Sequence, residues 1–429
     1  MRSRTVLIAL VAFVLATAAA CDSNKVNRSS SPAPTQTTAH PAEHEGATGA
    51  AAPGSPTELG AQFEQLLGQH ALLAVRQMRG VVAGQRDFRE AADAALQQNT
   101  DALSRLVASA YGDANGDRFK QLWQRSITDL DAYADAVAND DAAAKQAART
   151  ALVADSDAFG SWLAEAADGR VEAGDAPNDL RVHVEHLMKQ VEAYASSRYD
   201  QAYEIERQAY EQLFMVGAPL AKGSLTPKLA AKLDAPPEKL RSAFAMLLGE
   251  HMELIIDAQR ATFGGSPEFK AAAAQVNANT TALTKAMGAI VGPQKAGEFQ
   301  SAWGNHVEGL LAYSTAAADK DEAAKAAAEQ NLDGFAARLA LYFSDIVRNV
   351  LPVEPLTKAI SAHDTHLVGQ VDAYAARDYG KAQEMELDGY QQMLGVAGTL
   401  VGAIQRTVKP GLPVGGSQTG GGGTAHPPR

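Results

Sequence analysis

Residues 183–210 read HVEHLMKQVEAYASSRYDQAYEIERQAY, and residues 363–390 read HDTHLVGQVDAYAARDYGKAQEMELDGY. Both carry His-x-x-His, then Gln-Val, then Ala-Tyr. Tyr199, Glu204, Glu206 and Tyr210 of the first match Tyr379, Glu384, Glu386 and Tyr390 of the second, at a shift of 180. Working outward, the same shift pairs Tyr133 with Tyr313, Phe119 and Trp123 with Phe299 and Trp303, and Asn99-Thr100 with Asn279-Thr280. After a one-residue gap, Phe63, Leu66, Leu67 and His70 return as Phe244, Leu247, Leu248 and His251. The chain is therefore internally duplicated. Its period is far too long for a solenoid repeat, and each copy has ordinary single-domain size. The reading is two domains, 58–222 and 241–408, with 223–240 as a linker holding a short helix.

Within each copy the local signals are helical. Alanine is abundant, apolar residues recur at intervals of three and four, and the alternation expected of strands is missing. Breaks fall at Gly84, Gly112–Gly116, Asn139 and Gly169–Pro177 in the first copy. In the second they fall at Gly264–Pro267, Gly292-Pro293, Asp319 and Pro352–Pro355. These divide each copy into about six helices, so the predicted fold is all-α: two tandem antiparallel helical bundles.

Composition narrows the function. The 429 residues carry a net charge of −12, without basic runs, which argues against nucleic acid as a partner. One cysteine allows neither a disulfide nor a thiolate zinc site. Gly-x-Ser-x-Gly and a phosphate loop are both missing, so the sequence offers no catalytic motif.

Histidine is the residue that points to a site. Six of the seven histidines in 58–408 occupy columns common to both copies: His70 and His251, His183 and His363, His186 and His366. The seventh, His306, stands where the first copy has Ser126. At 100° per residue, His70, His251 and His306 fall in the middle of apolar stripes, and so do Glu206 and Glu386 on the last helix of each copy. A core-facing carboxylate needs a partner, and imidazoles on neighbouring helices are natural ones. The expectation is a transition-metal site in the second copy from His251, His306, His363, His366 and Glu386. A weaker site in the first copy would use His70, His183, His186 and Glu206. Imidazole and carboxylate without thiolate suit zinc, copper or iron. The alternative is a buried His–Glu hydrogen-bond network that holds no metal.

The two ends read differently from the middle. Arg2 and Arg4 precede an apolar stretch, Val6 to Ala20, that is short for a membrane span and fits a secretory signal. It ends in Ala18-Ala19-Ala20-Cys21. This resembles the lipobox of bacterial lipoprotein precursors, although Ala18 stands where those prefer leucine. The resemblance implies removal of residues 1–20, diacylation of Cys21 and attachment to the extracytoplasmic face of a membrane. Loss of Arg2 and Arg4 would take the net charge from −12 to −14. Residues 21–57 are poor in large apolar side chains and read as a disordered tether, and 409–429 as a glycine-rich tail.

Taken whole, the chain resembles uncharacterised secreted bacterial proteins with tandem histidine-bearing helical domains. Within 58–408 it lacks the Glu-x-x-His of ferritin-like di-iron bundles, and also His-x-x-x-His and His-Glu-x-x-His. Two functions follow as expectations. One is a tethered metal-binding lipoprotein that sequesters, buffers or delivers its ion. The other is a structural or interaction lipoprotein that meets an envelope protein partner.

Overall fold

Runs rich in alanine and leucine, punctuated by glycine, fold into thirteen helices in the computed structural model, which describes residues 54–170, 175–263 and 267–407. The signal, Cys21, nearly all of the expected tether and the glycine-rich tail lie outside the described residues. In the first copy α1 is Pro56–Val82, α2 Arg86–Tyr111, α3 Asp113–Ala138, α4 Ala142–Ala166, α5 Asp175–Ala195 and α6 Tyr199–Ser224. A short α7, Pro227–Ala230, and a 3-10 turn, Ala231–Asp234, bridge to the second copy. There α8 is Pro236–Phe263, α9 Glu268–Val291, α10 Pro293–Asp319, α11 Glu322–Ile346, α12 Val353–Ala375 and α13 Tyr379–Thr407. No strand occurs among the described residues, and the all-α class holds.

The caps repeat with the sequence. Asp141 accepts hydrogen bonds from the Ala143 and Ala144 amides at the start of α4, and Asp321 does the same for Ala323 and Ala324 at the start of α11. Between α2 and α3 the chain turns at Gly112 (φ +93°), and between α9 and α10 at Gly292 (φ +83°), a backbone that other residues rarely adopt.

Each copy is an up-and-down bundle of six long helices. In the first, α1, α3 and α5 touch one another in the middle while α2, α4 and α6 close the sides; α8, α10 and α12 form the same inner triangle in the second. A side chain pointing inward from an inner helix therefore meets side chains from the other two.

The copies meet across a pseudo-twofold seam. Helix α6 lies against α9, α13 against α2, and α1 against α8. Leu72, Tyr203, Tyr210 and Phe214 belong to the same apolar cluster as Phe244, Leu248, Ile255 and Tyr390. On the axis the Tyr210 and Tyr390 hydroxyls lie 3.2 Å apart. Glycines make room for these rings: a Cβ on Gly68 would stand 2.6 Å from the Tyr390 hydroxyl, and one on Gly249 2.8 Å from the Tyr390 ring.

Beside the tyrosines the seam holds a buried charge cluster. Arg76 of the first copy bonds Glu253 and meets Glu386 of the second. Arg79 bonds Glu206 at 2.7 Å and Arg260 bonds Glu386 at 2.8 Å, the same contact made once in each copy. Asp257 lies 3.8 Å from Arg76 and 3.7 Å from Arg79. Aromatic faces cover the guanidinium groups, with Tyr203 4.4 Å from Arg79 and Tyr374 5.4 Å from Arg260.

Candidate metal centre

Three inner helices of the second copy each carry a histidine at the height where they converge: His251 on α8, His306 on α10 and His363 on α12. Each sits on an apolar stripe, so burying the stripe carries the imidazole into the core. All three are at most 4% exposed. Ring centroids are 5.9 Å apart for His251 and His306, 6.0 Å for His251 and His363, and 5.6 Å for His306 and His363. One ring nitrogen from each can be chosen so that all three lie within 4.8 Å of one another. Two rings are braced by aromatic neighbours: His306 stacks on Phe335 at 4.3 Å and 14°, and His251 leans on Trp303 at 4.6 Å.

None of these six ring nitrogens has a hydrogen-bond partner, and neither does the Trp303 indole N–H. Buried polar atoms are normally satisfied, so such a concentration at one point of the core stands out. Burial holds His251 and His306 well below the ordinary imidazole range, and His363 is lowered to about 3. Neighbouring imidazoles add to each shift. The three rings are therefore neutral at physiological pH, and each offers one lone pair. An apolar cavity of about 40 Å³, walled by Phe244, Leu283, Met287 and Phe299, reaches His306 and His363. Room for a water needs only about 10–15 Å³.

The group can hold a metal ion. Zinc, for example, lies about 2.1 Å from imidazole nitrogen, which in a tetrahedral site puts the nitrogens about 3.4 Å apart. Side-chain rotations would have to draw the three rings inward to that spacing.

The other residues expected at this site lie elsewhere. His366, one turn along α12, turns toward α13, where its Nδ1 is 3.1 Å from Gln392 Oε1. Glu386 and Glu206 point to core as their stripes require, but that face of α13 and α6 meets the seam. There arginine supplies a full charge that a buried imidazole cannot carry. The expected His–Glu pairing is thus replaced by Glu–Arg pairing. Three guanidinium groups face four carboxyls (Glu206, Glu253, Asp257 and Glu386), so the cluster is neutral only with one proton on a carboxyl. Burial pushes Glu206 up to about 8, with Asp257 opposing the pull of Arg79, and raises Glu253 as well.

The first copy shows the same positions put to another use. His70 and His183 lie together with ring centroids 5.8 Å apart, but Ser126 fills the third corner. Trp123 donates its indole N–H to His70 Nδ1 at 3.1 Å, occupying the lone pair that its counterpart Trp303 leaves free on His251. His186 is half-buried on the flank of α5, its Nδ1 unpartnered. His70 and His183 are two imidazoles without a third.

Asp364, next to His363, escaped the sequence reading. It is 6% exposed, and its Oδ1 lies 3.4 Å from His306 Nδ1. Burial pushes its carboxyl up to about 8, with Asp333 adding to the shift. A signal for it existed: the matching position in the first copy is Val184, an apolar core residue replaced by an acid. Met252 packs over Gly389 and Met385 over Gly369. No protein-family model, curated protein or solved structure matches the chain.

Proposed function

We propose that this chain is a cell-envelope lipoprotein, anchored through Cys21, whose second helical bundle binds a transition-metal ion between His251, His306 and His363. The single observation that carries the reading is the convergence of three buried, neutral imidazoles whose nitrogens make no conventional hydrogen bond. Leaving that many polar atoms unsatisfied costs about 1–3 kcal/mol each. A metal ion would satisfy one nitrogen on each ring at once. Three imidazoles without thiolate suit zinc or copper, and iron less well without a carboxylate ligand. The small apolar cavity beside the rings suits holding an ion, as in sequestration, buffering or delivery to an envelope partner.

A structural reading without metal draws on the first copy, where the Trp123–His70 hydrogen bond shows how a core histidine at this position is satisfied by the protein alone.

Elemental analysis after reconstitution with zinc, copper and iron separates the two. One ion per chain is expected, falling to none in His306→Ser, which recreates the corner found in the first copy. Failure of every metal to bind stoichiometrically would sink the metal reading. For the anchor, Cys21→Ser should move the protein from the membrane to the soluble fraction.

A further inference from the structure

The second copy differs from the first at two buried inner positions that touch each other. Where the first has Ser126 and Val184, the second has His306 and Asp364. The acid has little reason to be there on structural grounds. Neither of its oxygens has a conventional hydrogen bond, and among the described residues the basic side chain within 4 Å is the His306 ring. An ionisable group buried in this way is costly, and the first copy folds the same helices around valine. The two residues make sense as a unit.

We infer that Asp364 is a positioning residue for metal binding: it accepts the Nδ1–H of His306, so that Nε2 presents its lone pair to a divalent cation held with His251 and His363. The inference rests on the metal reading of the three-histidine group. An imidazole that donates one N–H to a carboxylate has its tautomer and orientation fixed and its other nitrogen made more basic. The Phe335 face, stacked at 4.3 Å, holds the ring plane, leaving rotation within that plane for Asp364 to settle. A second effect points the same way. Three neutral imidazoles bring no negative charge to a dry core, so a divalent ion among them is uncompensated unless a nearby group supplies some. Asp364 does so without occupying a coordination position. A cation on Nε2 in turn favours the form with the proton on Nδ1 and the charge on the carboxylate.

The test compares zinc affinity, by chelator competition on the full chain, among wild type, Asp364→Val and Asp364→Asn. Valine restores what the first copy carries. It should weaken zinc binding about 10–100-fold, and it should raise the thermal midpoint of the metal-free protein, the reverse of a residue kept for folding. Asparagine, whose amide oxygen still accepts the N–H, should fall between and carries the test if the valine variant does not fold. In the zinc-loaded wild type, 15N NMR should find His306 protonated at Nδ1 and metal-bound at Nε2. Wild-type affinity in both variants overturns the role, as does an X-ray absorption spectrum in which Asp364→Val loses an oxygen ligand. No zinc binding by the wild type overturns the metal reading itself.

Discussion

Replacing Arg76 with methionine should show how firmly the seam joins the two copies. Arg76 is buried on α1 and reaches Glu253 and Glu386 on the far side. In the variant Glu386 keeps Arg260 at 2.8 Å, so Glu253 is the group that loses its bonded cation, with only the more distant field of Arg260 remaining. Methionine preserves most of the aliphatic stem, which confines the change largely to charge. An uncompensated buried carboxylate costs about 3–5 kcal/mol. Glu253 has one escape, which is to take a proton. From its ordinary value of 4.5 to neutral pH, that costs about 3.5 kcal/mol at about 1.4 kcal/mol per unit. The expected loss is therefore about 3 kcal/mol at pH 7 and about 1 kcal/mol at pH 5. The sign follows from the direction of the shift. A folded-state pKa above the unfolded one means the native protein binds the extra proton. Stability is then highest in acid and falls as pH rises past 4.5. Urea unfolding followed by circular dichroism at the two pH values measures both numbers. Adding Glu253→Gln should recover most of the loss, a coupling that independent sites would not show. A penalty under about 1 kcal/mol, or one that does not change with pH, would refute the assignment of this contact as a buried charge pair.

Two further outcomes follow from the same reasoning. Because Glu206 is raised to about 8, the wild type holds a proton at neutrality that the unfolded chain does not, so unfolding free energy should drop by about 1–2 kcal/mol between pH 7 and pH 9; Glu206→Gln should flatten that part of the profile, and an unchanged slope would contradict it. Substituting leucine for His70 strands the Trp123 indole N–H and should cost about 1–3 kcal/mol, whereas His251→Leu in the metal-free protein breaks no hydrogen bond and should be neutral or stabilising; equal effects in thermal melts would remove the distinction drawn between the copies.

The duplication, the helical class and the breaks were legible because each depends on local pattern. Glycine at a positive-φ turn and apolar residues on one stripe act through the chain's own geometry, so Gly112 and Gly292 announced themselves. Helical phase likewise identified His251 and His306 as core-facing. It could not say which neighbour each would meet, because phase gives a direction and not a distance. Glu386 shows the limit: its stripe is buried as expected, but against the other copy's arginine and not against imidazoles of its own bundle. The arginines gave no warning, since Arg76 and Arg79 sit on a helix whose stripe was read from its leucines and its histidine. His366 failed for a geometric reason. Three residues past His363, it is rotated about 60° round the helix, enough to leave a site formed at the meeting of three helices.

The comparison between the copies carries the argument about function further than either alone. Both place an indole and two histidines at the junction of their inner helices, which the shared fold accounts for. In the first copy Trp123 bonds His70 and the junction is filled by Ser126 and Val184, while both His183 nitrogens stay without a hydrogen bond. The second opens it, putting a third imidazole and a carboxyl where the first is small or apolar. All of these groups are left short of partners. Divergence toward less satisfied buried groups runs against stability, although the His306 ring gains a stacked contact with Phe335. The seam offers an offset from outside: Tyr210 against Tyr390, and Arg76 held between Glu253 and Glu386, tie the second bundle to the first. If the imidazoles are kept for a ligand, severing that seam should release the second copy to unfold first unless metal is bound. Arg76→Met examined with and without zinc would then show a stabilisation by the ion at least as large as in the wild type.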